Sequence, residues 1–277
     1  MMLDTKSLNL SVAQVMAIIN LTPDSFYATS RSHTTADVMR SVERAIVEGA
    51  TIVDLGGYSS RPGADDVSTE EEWRRVKMGL EAVRSVDGEV LVSIDTFRSE
   101  VVRRAYEEFG DFIVNDISAG ELDEAMLQTV AQFQLFYVAM HMRGVPQTMQ
   151  SLNHYEEGVV EGVVGYFRTR ADELKAQGID SRKIILDPGF GFAKGPMQNY
   201  ELLTHLSSVM ELGYPLLVGV SRKSMIYKPL GLTAEDALPG SLAFAWEALR
   251  AGAKIIRVHD VAPTRQIVDL YNHYNMA

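Results

Sequence analysis

Short apolar runs rich in β-branched residues recur along this chain, and a longer segment with helical spacing follows each of them. The runs are almost continuously apolar, which is typical of parallel strands that are covered on both faces. The eight strand candidates are residues 15–20, 51–56, 90–95, 111–116, 135–141, 183–187, 215–221 and 254–260. Eight strands in strict alternation with helices favour a single (β/α)8 barrel, an α/β fold, over an open doubly wound sheet.

The segments between the strand candidates predict the helices. Helical spacing is present at 35–48, 99–109, 122–132, 155–177, 197–212, 234–251 and 263–274. Thr69 and Glu72 predict a capping box at the start of a further helix, which runs through Val83. Three glycines stand where helices are expected to end: Gly49, Gly110 and Gly252. With no long linker in 277 residues, we expect one domain over 1–277, with residues 1–13 as an N-terminal extension.

The composition argues against several classes of protein. A net charge of -11 disfavours general nucleic-acid binding, which needs a basic surface. No apolar run approaches the roughly 18 residues of a membrane span, and the first residues lack the features of a signal peptide. The chain has no cysteine, which excludes disulfides and thiolate metal sites. We therefore expect a cytoplasmic protein with neither a nucleic-acid nor a membrane partner. The negative charge is compatible with a small anionic substrate, since a few local Arg and Lys residues can bind one.

Polar residues end nearly every strand candidate: Asn20, Asp54, Asp95, Asn115, His141, Asp187, Ser221 and His259. In a (β/α)8 barrel these carboxyl ends meet at one face, where the active site lies. A single Asp or Asn there could simply cap a helix. The whole set is harder to explain in that way, because a buried polar group without a partner costs about 1–3 kcal/mol. The pattern therefore predicts one polar rim around a site.

The segment DPGFGFAKG (187–195) follows the sixth strand candidate. Its glycines miss the dinucleotide fingerprint G-x-G-x-x-G by one position, and it does not lie at the first βα turn, so a nucleotide loop is disfavoured. Asp187 offers two acceptors to the parallel N–H donors of a flat heterocycle. Glycines let a ligand approach the backbone, and Phe192 is available for stacking. The alternative, that the phenylalanines only fill the barrel mouth, stays open.

Basic residues near the last strands predict an anion site. Ser221, Arg222 and Lys223 join a strand to a possible helix, where free N–H groups and positive side chains bind phosphate or carboxylate. Arg257 and His259 are alternate residues of the last strand, so their side chains share a face. This position matches the phosphate corner of the barrel.

Other roles for these residues are less favoured. Lys223 could form a Schiff base, but an anion-binding lysine is the simpler interpretation. His141 and His259 could bind a metal, yet no third His or Cys stands beside them to complete a tight zinc site. A loosely held Mg²⁺ that shares oxygens with substrate phosphates fits better.

Eight ordered segments resemble the motifs of the dihydropteroate synthase family: NLTPDSF (20–26), GGYSSRPGA (56–64), SIDT (93–96), NDIS (115–118), MHMRGVPQTMQ (140–150), DPGFGFAK (187–194), LVGVSRKS (217–224) and RVHDV (257–261). The match extends from about residue 14 to the end of the chain, and eight motifs in order are far more specific than one. The resemblance implies a TIM barrel that joins 6-hydroxymethyl-7,8-dihydropterin pyrophosphate to p-aminobenzoate and releases pyrophosphate, in folate biosynthesis. It also implies Mg²⁺, a homodimer and a target of sulfonamides.

The resemblance assigns roles residue by residue. The pterin would be held by Asp95, Asn115, Asp187, Lys223 and Arg257. The p-aminobenzoate would be surrounded by Ser60, Arg61, Pro62, Phe192 and Ser221. Pyrophosphate would be bound by Arg61, Arg257 and His259, and Mg²⁺ by Asn20. The implied catalytic set is Asn20, Asp95, Lys223, Arg257 and His259.

We expect a dissociative substitution without an obligatory strong base. The leaving pyrophosphate is stabilised by Mg²⁺, Arg and His, the methylene cation is delocalised into the pterin, and the aryl amine is largely neutral at pH 7. The chain departs from the family at the 27–30 loop (YATS), where an acidic residue is usual, and at Tyr58, Ser60 and Ala193, where Glu, Thr and Gly are common. These changes bear on catalytic detail and sulfonamide affinity, not on the reaction class.

Two rival functions are compatible with a pterin-binding barrel. A methyltransferase that moves a methyl group from a methyl-folate to a corrinoid protein shares the pterin carboxylates, but has no use for Arg61, Lys223 and Arg257 as an anion set. A pterin-binding module without turnover is disfavoured by the intact polar rim.

Overall fold

The computed structural model describes residues 2–6, 8–22, 34–59, 66–86, 89–146 and 148–276. Within them, eight parallel strands form one sheet in the order β6-β5-β4-β3-β2-β1-β8-β7. The strands are β1 (Gln14–Asn20), β2 (Ile52–Gly56), β3 (Leu91–Asp95), β4 (Ile113–Asp116), β5 (Phe136–Met140), β6 (Ile184–Asp187), β7 (Leu217–Val218) and β8 (Ile255–Val258). The expected (β/α)8 barrel is confirmed.

Helices follow the strands and pack on the outside of the sheet. They are α1 (Thr35–Val47), α2 (Thr69–Ser85), α3 (Ser99–Phe109), α4 (Met126–Phe133), α5 (Val159–Ala176), α6 (Pro196–Thr204), α7 (Leu206–Met210), α8 (Ser224–Tyr227), α9 (Leu238–Arg250) and α10 (Val261–Met276). Short 3-10 turns occupy Met149–Ser151, Ser181–Lys183, Lys228–Leu230 and Glu235–Ala237. Among the described residues, no helix is both long and apolar enough to cross a membrane.

The barrel closes between β6 and β7 through a single isolated bridge, Leu186 to Leu216. The predicted strand at 215–221 is much shorter than expected, because the chain leaves the ladder after Val218. A turn follows, in which the Lys223 N–H donates to the Val220 carbonyl at 3.2 Å. We call the contact between β6 and β7, at the Leu186–Leu216 bridge, the β6–β7 seam.

One apolar side chain from each strand fills the lower interior of the barrel. These residues form a separate buried cluster: Met16, Ile52, Leu91, Ile113, Val138, Ile185, Leu217 and Ile255. Leu8 and Leu10 of the N-terminal segment pack against the same cluster. The bottom of the barrel is therefore a solid apolar plug, and a substrate can enter only above it.

Two helix predictions need correction. The capping box at Thr69 and Glu72 is wrong: Ser68 is the N-cap, its hydroxyl accepts from the Glu71 N–H at 3.2 Å, and Thr69 is the first helical residue. The predicted helix at 197–212 is two helices, interrupted at His205, whose backbone has φ -107° and ψ 25°. The helix ends at Gly49, Gly110 and Gly252 are confirmed, and each of these glycines has φ between 94° and 100°.

Candidate active site

The strands that form the apolar plug also carry the polar site above it. Alternate residues of a strand point to the same side, so side chains two or four positions beyond the plug also face the barrel axis. These positions are Asn20, Asp54, Ser93, Asp95, Asn115, Asp187 and Arg257. The register agrees, because Gly56 pairs with both Asn20 and Asp95, and Asp95 pairs with Asn115. The polar rim is thus the second layer of the barrel interior.

Arg257 links two carboxylates within this layer. Its Nε donates to Asp54 Oδ2 and its Nη2 to Asp95 Oδ2, both at 2.7 Å. Asn115 Nδ2 donates to the same Asp54 oxygen at 3.0 Å. Arg257 therefore binds side chains of β2 and β3 from its place on β8, and predicted pterin residues from three strands meet in one network.

Asp54 is a residue of this network that the predicted binding set does not contain. It is fully buried, and its Oδ1 has no hydrogen-bond partner among the described residues. The sequence carried a signal for it, because Asp54 is one of the polar residues that mark the ends of the strand candidates. Asp54 accepts hydrogen bonds from both Arg257 and Asn115, so we infer that it orients these two side chains.

The charges of this network shift each other's titration. Burial raises the pKa of Asp95 to about 7, while Arg257 opposes the shift and Asp54 adds to it. Burial alone would lower the pKa of Arg257, but Asp54 and Asp95 raise it above its ordinary value. Arg257 is therefore a permanent cation, and Asp95 is the group in this network that can change protonation near neutral pH.

Asp187 and Lys223 lie together on the opposite wall, beside the β6–β7 seam. Asp187 is 7% exposed, and its Oδ1 accepts from the Gly189 N–H at 2.8 Å. Lys223 Nζ donates to the Phe190 carbonyl and lies 5.1 Å from the centre of the Phe192 ring. Burial raises the pKa of Asp187 and lowers that of Lys223 to about 8, while each partly offsets the other's shift. The predicted pterin carboxylate and lysine are thus close enough to interact.

The loop after Asp187 is built from residues with left-handed backbone. Gly189 has φ 68°, and a Cβ atom there would lie 2.1 Å from the His141 carbonyl oxygen, so only glycine fits. Ala193 has φ 50° and is fully buried, with its carbonyl accepting from the Tyr155 hydroxyl at 3.1 Å. A glycine at this position, as is usual in the resembled family, would avoid a strain of about 1–2 kcal/mol. The departure at Ala193 therefore costs stability but keeps the loop.

Ser221 and His259 lie beside each other at the end of the last strands. The Ser221 hydroxyl is 3.1 Å from His259 Nδ1 and accepts from the His259 N–H at 3.2 Å. Arg222, expected here as an anion ligand, instead makes a bidentate ion pair with Asp260 at 2.6 and 2.8 Å. Asp260 therefore engages the Arg222 guanidinium, and the role of Arg222 in anion binding stays a prediction. The expected helix begins only at Ser224 and has four residues.

Asn20 ends β1 and faces the same space as Asp95. Oδ1 of Asn20 and Oδ2 of Asp95 both lie 3.9 Å from the place where a Cβ on Gly56 would stand. An amide oxygen beside a carboxylate is a hard donor set, and Mg²⁺ commonly uses one or two protein oxygens and completes its shell with water and phosphate. The residues present therefore fit a Mg²⁺ ion.

Part of the predicted site lies outside the described residues: Ser60, Arg61, Pro62 and the 27–30 loop. Tyr58, at the start of the second loop, is described. Its ring packs edge-on against Phe97 with centroids 5.0 Å apart, and the Arg98 guanidinium lies 5.3 Å from its centre.

His141 does not join the polar rim. It is 1% exposed, and its Nδ1 lies 2.9 Å from Nζ of Lys194. Burial lowers the pKa of His141 well below its ordinary value, and the nearby Lys194 adds to this shift. His141 is therefore a buried neutral side chain behind the site. Lys194 is buried beside it and, like Asp54, is absent from the predicted set of site residues.

A groove of about 750 Å³ lies outside the barrel mouth, against α5. Tyr166 Oη donates to Glu121 at 2.8 Å in its wall, and Arg170 donates to Glu173 at 2.5 Å. Two pairs of its polar side chains thus bind one another. None of the residues predicted to bind substrate lines it, so it is separate from the barrel site.

Comparison with known proteins agrees with this geometry. The family model described as pterin binding enzyme matches residues 16–259. The dihydropteroate synthase of Haemophilus influenzae is 41% identical over 268 residues, which cover 97% of this chain and 96% of that protein. The dihydropteroate synthase of Escherichia coli K12 is 43% identical over 258 residues, covering 93% and 90%.

Solved structures give the same result. A Yersinia pestis dihydropteroate synthase in a sulfonamide drug complex superposes with a TM-score of 0.91 at 36% identity, covering 100% of both chains. The Xanthomonas albilineans dihydropteroate synthase with 4-aminobenzoic acid has a TM-score of 0.87 at 37% identity, covering 98% and 96%. The same enzyme with 7,8-dihydropteroate has a TM-score of 0.84 at 34% identity and the same coverage. The chain therefore belongs to the family of pterin-binding enzymes that contains the dihydropteroate synthases.

Proposed function

We propose that this chain joins 6-hydroxymethyl-7,8-dihydropterin pyrophosphate to p-aminobenzoate and releases pyrophosphate, as the dihydropteroate synthases do. The observation that carries the proposal is the polar layer at the barrel mouth. In it, Asp95, Asn115 and Arg257 form one network, and Asp187 and Lys223 form the opposite wall. The relatives' complexes with 4-aminobenzoic acid and 7,8-dihydropteroate support both the amine substrate and the product.

Asp187 is suited to read the edge of the pterin. Its Oδ1 is fixed by the Gly189 N–H, and the carboxylate still offers acceptor positions to the 2-amino group and ring N–H of a pterin. Two parallel N–H donors on one carboxylate give both affinity and orientation. Asn115 and Asp95 supply further polar contacts across the barrel, and Lys223 a cation beside Asp187.

The pyrophosphate would be held on the other side of the mouth. Arg257 and His259 are the described cationic or hydrogen-bonding groups there, with Arg61 expected on the second loop. Asn20 and the neighbouring Asp95 would hold Mg²⁺, and the ion would neutralise charge on the leaving group when bound. Arg257 can turn to the pyrophosphate only by exchanging part of its present contacts with Asp54 and Asp95.

The reaction needs orientation more than it needs a base. The aryl amine of p-aminobenzoate is largely neutral at pH 7, so its lone pair is ready to attack. Phe192 and Ser221 would place it near the pterin methylene. Carboxylates below the ring, Asp95 and Asp187, would favour positive charge that develops on the pterin as the C–O bond breaks. We therefore propose a dissociative substitution at the methylene.

A pyrophosphate-release assay with Mg²⁺ tests the function. We expect p-aminobenzoate-dependent release by the wild type and a drop in kcat/KM of at least about tenfold for Asp187→Asn and Lys223→Ala, since each removes a charged hydrogen-bonding group. Lys175→Ala, on the exposed face of α5, is the matched control and should behave like the wild type. Saturable pterin binding without turnover would instead indicate a binding module, and methyl transfer to a corrinoid protein would indicate the rival enzyme.

The assay also tests the mechanism. Slow cleavage or exchange of the pterin pyrophosphate without the amine is expected for dissociative substitution. Cleavage that depends strictly on the amine would contradict it.

A homodimer and a cytoplasmic location are part of the proposal. An aromatic group on α9 and α10 supports a partner surface: Trp246 packs edge-on against Tyr271 and Tyr274, with centroids about 6 Å apart. On α10, Leu270 and Tyr274 lie one helical turn apart and are 58% and 68% exposed, so they extend this apolar surface. Sedimentation analysis and cell fractionation check the two expectations.

A further inference from the structure

Lys194 is a buried lysine inside the loop that carries Asp187 and Phe192. It is 3% exposed, and its Nζ has three close partners. These are the Gly189 and Phe192 carbonyl oxygens, each at 3.0 Å, and Nδ1 of His141 at 2.9 Å. A fourth oxygen, the His141 carbonyl, lies at 3.5 Å. The loop therefore wraps around one nitrogen atom.

The three close partners can be satisfied in either protonation state of the lysine. An ammonium group donates to both carbonyls and to an unprotonated Nδ1 of His141. A neutral amine donates to the two carbonyls and accepts from Nδ1–H in the other histidine tautomer. The contacts of Lys194 therefore persist whether or not it is charged. In either state, Nζ of Lys194 fixes the position of the backbone around it.

Both carbonyls that Lys194 binds stand next to groups that face substrate. Gly189, whose carbonyl it holds, gives its N–H to Asp187 Oδ1 at 2.8 Å. The Phe190 carbonyl, one residue on, accepts from Lys223. Phe192 contributes both a carbonyl to Lys194 and a ring to the barrel mouth. A movement of the loop would thus displace the pterin carboxylate and the aromatic wall together.

Asn199 ties the same loop from the other side. It is 2% exposed and lies on α6, where its Oδ1 accepts from the Gly191 N–H at 2.7 Å and its Nδ2 donates to the Lys194 carbonyl at 3.1 Å. The two side chains together bind backbone groups of Gly189, Gly191, Phe192 and Lys194. Lys194 links two backbone carbonyls within the loop, and Asn199 attaches the loop to helix α6.

We propose that Lys194 is a positioning residue for both substrates: it holds the 187–193 loop so that Asp187 and Phe192 form the walls of the pterin and p-aminobenzoate subsites. The proposal rests on the proposed function for its substrates. Lys194 itself has no contact with the open mouth, because its nitrogen is enclosed by His141 and the loop backbone. Its effect on substrate must therefore pass through the loop.

The test replaces Lys194 by a side chain of similar length that has no donor. We expect Lys194→Met to raise the KM for each substrate, and the pterin Kd measured by calorimetry, by about tenfold, as for the loss of one or two net hydrogen bonds. The kcat at saturation should fall by less, about threefold, since the reacting groups are intact. Lys175→Met, the same change at an exposed lysine of α5, should leave all these values unchanged.

A double-mutant cycle separates positioning from general stability. If Lys194 acts through Phe192, Lys194→Met should raise the KM for p-aminobenzoate much less in a Phe192→Leu background than in the wild type. Additive effects, or a lower unfolding midpoint with unchanged KM and Kd, would overturn the proposal. Should Lys194→Met not accumulate as folded protein, Lys194→Gln takes its place; it keeps two N–H donors on a shorter chain, so the same constants should rise, but by less than tenfold.

The calorimetric arm distinguishes this proposal from the proposed function. A wild type that binds pterin but does not turn over would refute the synthase function, while a weaker pterin Kd in Lys194→Met would still support the positioning role. A synthase with normal turnover and an unchanged Kd in Lys194→Met would refute only the positioning role.

Discussion

Arg257 brings two carboxylates to within a few ångströms of each other at the barrel mouth. Asp54 and Asp95 both accept from its guanidinium, and neither would be stable as a buried anion without it. Of the two, Asp95 is nearer to the solvent, with its side chain 21% exposed against 0% for Asp54. A substrate that approaches from the mouth therefore contacts Asp95 before Asp54. Asp54 Oδ2 already accepts hydrogen bonds from Arg257 and Asn115.

The raised pKa of Asp95 makes a prediction about stability and pH. Because its pKa is about 7 in the folded protein and about 4 in an unfolded chain, the folded state binds more protons between these values. Its contribution to the free energy of unfolding is therefore full below about pH 4 and is lost as the pH rises towards 7, with a slope of at most about 1.4 kcal/mol per pH unit.

Asp95→Asn removes this contribution. The difference in free energy of unfolding between wild type and variant, measured with urea at several pH values, should shift in favour of the variant as the pH rises from about 4 to about 7. Other buried acids with raised pKa values, such as Asp116 and Asp187, are present in both proteins and cancel in the difference. Parallel pH profiles for the two proteins would contradict the raised pKa.

Several site residues could be predicted from the sequence because the rule that places them is simple. A polar residue at the end of a parallel strand lies at the barrel mouth, and this identified Asp95, Asn115 and Asp187. The same rule included Asp54, but its contacts with Arg257 and Asn115 become visible only in the structure. Lys194 could not be predicted, because in a glycine-rich loop the direction of a lysine depends on left-handed backbone angles that spacing does not encode.

At the scale of elements, α2 supports the ends of β2 and β3 through buried ionic contacts. Glu72 is fully buried, and it accepts from the Thr96 hydroxyl at 2.5 Å and from Arg98 at 2.6 Å. Arg98 also donates to the Val67 carbonyl at 2.7 Å. Arg75, from the same helix, donates to the Gly57 carbonyl at 3.0 Å. One helix thus holds residues next to Asp95 and residues that flank the second loop.

This role explains why the capping box was misassigned. Ser68 with Glu71 and Thr69 with Glu72 are two overlapping matches to the same pattern, and periodicity does not choose between them. The structure uses Ser68 as the cap, which frees Glu72 to turn inward to Thr96 and Arg98. The choice depends on tertiary contacts, which a local pattern cannot show.

Glu72→Gln tests the importance of this support. The change keeps the shape but removes the charge that Arg98 and Thr96 bind, so we expect a loss of about 2–4 kcal/mol in the free energy of unfolding, measured with urea. Glu70→Gln is the matched control on the first turn of α2. Its carboxylate is 72% exposed and pairs with Arg104, so its loss should cost less than about 1 kcal/mol. Similar losses for the two variants would show that the buried contacts add nothing.

At the scale of the whole molecule, the number and order of the strands followed from the sequence, because eight apolar runs alternate with eight helical regions. The length of β7 did not follow. The run 215–221 has the composition of a full strand, yet only Leu217 and Val218 stay in the ladder. The chain after Val218 turns and places Ser221 and Lys223 at the mouth. The pairing between β6 and β7 is therefore shortest at the side of the barrel where these site residues lie.

The β6–β7 seam also indicates where the chain can be divided into two fragments. Gly213, in the connection just before β7, is exposed and has open space around it. A single isolated bridge joins β7 to β6, whereas β8 forms ladders with both β1 and β7. Two co-expressed fragments divided at Gly213 should therefore associate and recover synthase activity, whereas a division inside β3 should not. Failure of the Gly213 fragments to associate would show that the β1–β8 ladder and the seam cannot hold the two pieces together without the covalent connection.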